Sequence, residues 1–197
     1  MDILGLVAIG IGAFAATNID DMFLLMIFFS SLTYPVRQIV LGQYVGIGIL
    51  IAVSMLGSLI ALVIPTYVIG LLGIVPIGIG IKNLVEIRKK DKSTSIQNAQ
   101  EDNSYLAFLT VASVTISNGG DNIGVYVPLF SKYNTLGQIT VLTAVFIAMT
   151  AFWCIAAYYL VNHPLLVSRI RRIGHIVLPF VLIGLGIYIL TDSFLLV

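Results

Sequence analysis

Six long apolar runs alternate with short polar breaks along the chain, at about residues 3–30, 39–64, 67–86, 105–130, 136–161 and 174–191. A hydrocarbon core of ~30 Å takes about 20 apolar residues as helix, so the pattern predicts an all-α, polytopic membrane protein with six transmembrane helices. Most breaks carry turn-forming residues: Thr33-Tyr34-Pro35, Pro65-Thr66, Lys132-Tyr133-Asn134 and Asn162-His163-Pro164. The longest, residues 88–104, is mostly charged and polar and reads as a cytoplasmic linker. It separates a first three-helix unit, 1–87, from a second, 105–197.

Three spans per unit is an odd number, so if the units are repeats they enter the membrane from opposite sides, as inverted repeats. Three matches in the same order support repetition. Thr17-Asn18-Ile19-Asp20-Asp21 is answered by Ser117-Asn118-Gly119-Gly120-Asp121, and Leu41-Gly42-Gln43 by Leu136-Gly137-Gln138. Pro76 ahead of Gly78-Ile79-Gly80-Ile81 resembles Pro179 ahead of Gly184-Leu185-Gly186-Ile187, with different spacing.

Composition agrees with lipid as the solvent: 59% of residues are hydrophobic and 10% charged, with a mean hydropathy of +1.07. A soluble domain carries about 25% charged residues. The net charge of +1 and the lack of a basic patch exclude nucleic acid as a partner. Charge also orients the chain, because Lys and Arg are retained on the cytoplasmic side. Nine of the ten basic residues (Arg37, Lys82, Arg88, Lys89, Lys90, Lys92, Arg169, Arg171 and Arg172) fall on one side and Lys132 on the other, which sets both termini outside. The basic tracts at 88–92 and 169–172 read as retention charges beside anionic lipid headgroups. Met1-Asp2-Ile3-Leu4 has no positive n-region, so the first run is taken as a span rather than a removable signal. A single cysteine, Cys154, excludes an internal disulfide framework and a CxxC centre.

The candidate chemistry lies in the repeated pattern [Ser/Thr]-Asn-x-x-Asp. Positions three and four apart share a helix face, so Thr17, Asn18 and Asp21 are expected to converge, as are Ser117, Asn118 and Asp121. An ionised Asp at mid-membrane costs at least ~2.5–3.5 kcal/mol, and none of the Lys or Arg residues sits mid-span to pair with it. Asp20, Asp21 and Asp121 are therefore expected to be neutralised by protons, by a bound cation, or by each in turn. Carboxylate, amide and hydroxyl oxygens suit cations that accept oxygen ligands, and two carboxylates match a divalent charge. Asp20 lies about 100° round the helix as an additional acceptor, with Gly120 at its equivalent. Gly119 and Gly120 favour a break in span four, and the length of span one permits one near Thr17 to Asp21; freed backbone carbonyls would then add ligands. Asn122 and Tyr126 are supporting candidates, Tyr126 as a donor or an exit-path residue. Met22, Met26 and Cys154 could offer sulfur but read more simply as packing residues; His163 and His175 read as interfacial. Gly42 and Gly46 form a GxxxG pair that permits close helix approach. The blander reading is a buried hydrogen-bond network that only fixes packing.

On these two motifs, with Ile123, Tyr126, Pro128 and the polar linker, the chain resembles the cadmium-resistance transporter family of the lysine-exporter superfamily, essentially end to end. The resemblance implies export of divalent heavy-metal ions from a bacterial cytoplasm across the plasma membrane, cadmium foremost and zinc second. The metal is then cargo rather than a resident cofactor, and protons are the natural counter-ion, since carboxylates bind either. No GxxxxGK[ST] motif is present to couple nucleotide. Export of amino acids or other organic cations is the alternative within the superfamily. An intramembrane aspartyl hydrolase also needs two membrane Asp residues, but Asn118-Gly119-Gly120-Asp121 departs from the expected Gly-x-Gly-Asp. The oligomeric state stays open, with a homodimer as one arrangement.

Overall fold

The computed structural model describes residues 2–30, 34–61 and 104–161, with single positions and short stretches between 74 and 85 and between 180 and 191. All its described elements are helical: α1 (Ile3–Thr17), α2 (Ile19–Ser30), α3 (Val36–Ala61), α4 (Ser104–Asn118), α5 (Gly120–Lys132) and α6 (Leu136–Leu160). Most of span three, half of span six, the 88–103 part of the linker, both His residues and the basic residues at 82–92 and 169–172 lie outside the described residues.

Among the described residues, two helices are long and apolar enough to cross a membrane, Val36–Leu59 within α3 and Leu136–Leu160. A third candidate is the pair α1 and α2, joined at Asn18 and bent by 59°. The expected 3–30 run is thus two helices broken at Asn18. The expected 105–130 run is broken as well, at Gly119 between α4 and α5. Asn18 and Gly119 are where polar or glycine residues interrupt each apolar run, so both interruptions were legible. The 136–161 run is a single helix, started by a capping box in which Thr135 and Gln138 exchange side-chain and backbone hydrogen bonds.

Packing follows a crossed scheme. α3 runs parallel to α4 and α5: Gly42 lies against Phe108 and Val111, Gly46 against Thr115, Leu50 against Gly119 and Gly57 against Val127. α6 runs parallel to α1 and α2: Gly10 lies against Leu142 and Val145, Phe14 against Phe146, and Phe29 against Tyr158. α3 therefore lines the broken pair α4 and α5, and α6 the broken pair α1 and α2. Gly42, Gly46 and Gly119 permit this closeness. A Cβ at Gly42 would sit 2.7 Å from the Phe108 carbonyl, one at Gly46 2.6 Å from Thr115 Cβ, and one at Gly119 would overlap the Leu50 side chain. The repeated Leu-Gly-Gln triplets do not occupy equivalent places. Gly42 is wedged and Gln43 buried, whereas Gly137 faces open space and Gln138 caps α6. That match follows composition rather than register.

An aromatic cluster closes the centre. Phe146 stacks on Tyr126 at 4.4 Å and meets Phe14 and Phe130, and Trp153 meets Phe14 edge-on at 5.5 Å. Leu4, Leu56, Phe152 and Tyr159 are among the exposed apolar side chains, as a lipid-facing surface requires. At the end of α5, Lys132 Nζ lies 3.4 Å over the Tyr188 ring, and the Tyr133 and Tyr188 hydroxyls are 2.8 Å apart.

Candidate metal centre

The two breaks meet. Asn118 Nδ2 donates to Asp21 Oδ1 at 2.7 Å, Asn122 Nδ2 to Asn18 Oδ1 at 2.9 Å, and Asn18 Nδ2 to the Tyr126 hydroxyl at 2.8 Å. Residue numbers rise along one broken helix as they fall along the other, so the two cross in opposite directions with the motifs at the crossing.

The breaks also explain how a buried Asp is tolerated. Each places its acid in the first turn of the second half-helix: Asp20 and Asp21 in α2, Asp121 in α5. Free N–H groups and the positive end of the helix dipole favour a carboxylate there. Asp21 is 2% exposed, and its Oδ2 also accepts from Gln43 Nε2 of α3 at 3.2 Å. Thr115 in turn donates to Gln43 Oε1 at 2.7 Å.

A second cluster surrounds Asn18, which is fully buried. Its amide reaches Phe14 O and Thr17 Oγ1, each at 2.9 Å, besides Tyr126, and Trp153 Nε1 donates to its backbone carbonyl at 2.6 Å. Thr17 Oγ1 returns to Ala13 O at 3.1 Å. The last-turn carbonyls of α1 expected to become free ligands are therefore partly engaged by protein donors. Asn122 Oδ1 is buried and has no hydrogen-bond partner among the described residues, an acceptor left open inside the polar crossing.

The nine candidate residues are thus placed unequally. Asp21 with Asn118 forms one junction, and Thr17, Asn18, Asn122 and Tyr126 form the other. Thr17, in the last turn of α1, and Asp21, in the first turn of α2, lie on either side of the 59° bend at Asn18. Ser117 precedes the break at Gly119 and Asp121 follows it; Ser117 and Asp20 are exposed, and Asp121 is half-buried. Among the described residues no three His, Cys, Asp or Glu side chains gather where one ion could be held, so any ligand set built here draws on amide and hydroxyl oxygens. Met22 and Cys154 are buried in the surrounding core. Sequence reasoning overlooked Gln43, Thr115 and Trp153. The available signal was a polar residue inside an otherwise apolar run.

No curated protein and no solved structure matches the chain. A family model described as Cadmium resistance transporter matches residues 14–196, a stretch that contains both breaks and every residue of the crossing except Ala13. With that match over most of its length, the chain belongs to the cadmium resistance transporter family.

Proposed function

We propose that this protein exports divalent heavy-metal cations, cadmium foremost and zinc second, from the bacterial cytoplasm across the plasma membrane. It does so by alternating access, with protons as the counter-ion. The observation that carries the proposal is the antiparallel crossing of two broken helices at their Asn-x-x-Asp motifs, joined by the 2.7 Å bond from Asn118 to Asp21. Broken helices meeting at mid-membrane present helix ends and polar side chains to an ion while the rest of the bundle satisfies its own backbone. Asp21 and Asp121 supply charge, Asp20 an additional acceptor, and Asn18 and Asn118 neutral oxygens. Thr17, Ser117, Asn122 and Tyr126 support them, and the open Asn122 Oδ1 suits this role.

The crossed packing of α3 on α4–α5 and of α6 on α1–α2 favours six spans in two inverted repeats with both termini outside. Rocking one repeat against the other would then expose the crossing to each side in turn. Oxygen donors dominate although cadmium prefers sulfur, and Met22, adjacent to Asp21, is the nearest sulfur in sequence.

Inside-out vesicles carrying the protein are expected to accumulate cadmium and zinc, faster with an imposed proton gradient and faster than manganese. Asp21→Asn and Asp121→Asn each abolish accumulation with the protein still inserted. Wild-type rates in both variants would remove the site assignment.

A further inference from the structure

Gln43 belongs to neither motif and comes from α3, yet it stands between Asp21 and Thr115, all three within 3% of full burial. Its Nε2 donates to Asp21 Oδ2 at 3.2 Å and its Oε1 accepts from Thr115 Oγ1 at 2.7 Å. Chemistry dictates this orientation, because the opposite one would face an amide oxygen to a carboxylate oxygen. A cation at Asp21 reverses the demand: it repels the Nε2 hydrogens and attracts Oε1.

We propose that Gln43 is a ligand of the cargo, which turns its carboxamide over when the cation arrives, with Thr115 as the partner that makes the turn possible. The inference rests on the cation-export reading and adds a third helix to the site. A half-turn of the amide brings Oε1 to the cation and Nε2 to Thr115. The threonine hydroxyl both donates and accepts, so it can take the Nε2 hydrogen and direct its own proton to the Val111 carbonyl one turn back in α4. Each buried donor then keeps a partner in both orientations. A fixed backbone carbonyl or N–H in place of Thr115 would hold only one of them. Gly46 keeps the hydroxyl within reach, since a Cβ there would lie 2.6 Å from Thr115 Cβ and 2.7 Å from its Cγ2.

The test uses the chain's one tryptophan. Trp153 donates to the Asn18 carbonyl at the first break, so its fluorescence reports a cadmium titration of the purified protein. Gln43→Leu and Thr115→Val should each weaken cadmium binding about tenfold, the equivalent of one hydrogen bond to a charged group. Thr115→Ser, which keeps the hydroxyl, should stay within about twofold on the same scale. The double variant Gln43→Leu/Thr115→Val should bind no more weakly than Gln43→Leu alone, because Thr115 acts only through Gln43. Thermal midpoints without cadmium, measured in parallel, identify any variant that is unfolded. If Gln43→Leu does not fold, Gln43→Met carries the same expectation.

Additive losses in the double variant would overturn the inference, as would wild-type affinity in Gln43→Leu while Asp21→Asn abolishes binding. Wild-type cadmium binding by Asp21→Asn would overturn both this inference and the site on which it rests.

Discussion

Asn18 carries more of the crossing than Asp21 does. Its side chain touches Phe14, Thr17, Tyr126 and Asn122, and its backbone carbonyl holds Trp153. Replacing it with an apolar residue of similar size leaves several buried groups short of a partner, each costing ~1–3 kcal/mol, whereas removing one hydroxyl from the cluster costs about 1 kcal/mol. Asn18→Leu should therefore destabilise the protein by about 3 kcal/mol or more, and Tyr126→Phe by only about 1 kcal/mol. Thermal unfolding of the purified variants in one detergent measures the order. Equal losses would mean that the Tyr126 hydroxyl, not Asn18, is the hub.

At the scale of elements, two adjacent glycines have different duties. Gly119 presses on Leu50 of α3 where no Cβ fits, while a Cβ at Gly120 meets open space. Overpacking of this kind costs ~1–3 kcal/mol, and Ala is favoured over Gly within a helix by ~1 kcal/mol. Gly119→Ala should lower the thermal midpoint, and Gly120→Ala should leave it unchanged or raise it. Combining Gly119→Ala with Leu50→Ala should recover part of the loss, because the smaller side chain vacates the overlap. A uniform response at both glycines would locate their importance in backbone conformation instead. The break in α1–α2 works without glycine. Asn18 ends α1 by folding its own side chain back onto Phe14 O, the local competition with helix that makes Asn a terminator.

Over the whole molecule, the parallel packing of α3 on α4–α5 puts Arg37 at the end where Ser104 opens α4, and Asn134 beyond the opposite end. In a Cys154→Ala background, Asn134→Cys should react with a membrane-impermeant maleimide in intact cells. Arg37→Cys should react only in inside-out vesicles. Labelling of both from one side would contradict a six-span arrangement with both termini outside. The same packing ties the two ends of the described chain together, since α3 buries its close-packed face on α4 and α5, and α6 packs on α1 and α2.

Hydrophobicity alone determined that the chain is helical and lipid-embedded, because the length and apolarity of a span are properties of local composition. Motif chemistry likewise marked Asp21, Asn118 and the two breaks, since an uncompensated acid or paired glycines in an apolar run conflict with a continuous buried helix. The tertiary structure decided which polar residues meet. Periodicity would have grouped Thr17 with Asp21, but a 59° bend lies between them, and Asp21 finds Asn118 of the other unit and Gln43 of α3 instead. Gln43 and Gln138 share a triplet and differ in role, because one packs mid-helix against α4 and the other caps a helix start. Contacts between distant segments depend on register and crossing direction, which follow from the fit of Gly42, Gly46 and Gly119 against their neighbours; the Gly42–Gly46 spacing marks a close approach in the sequence but does not name its partner.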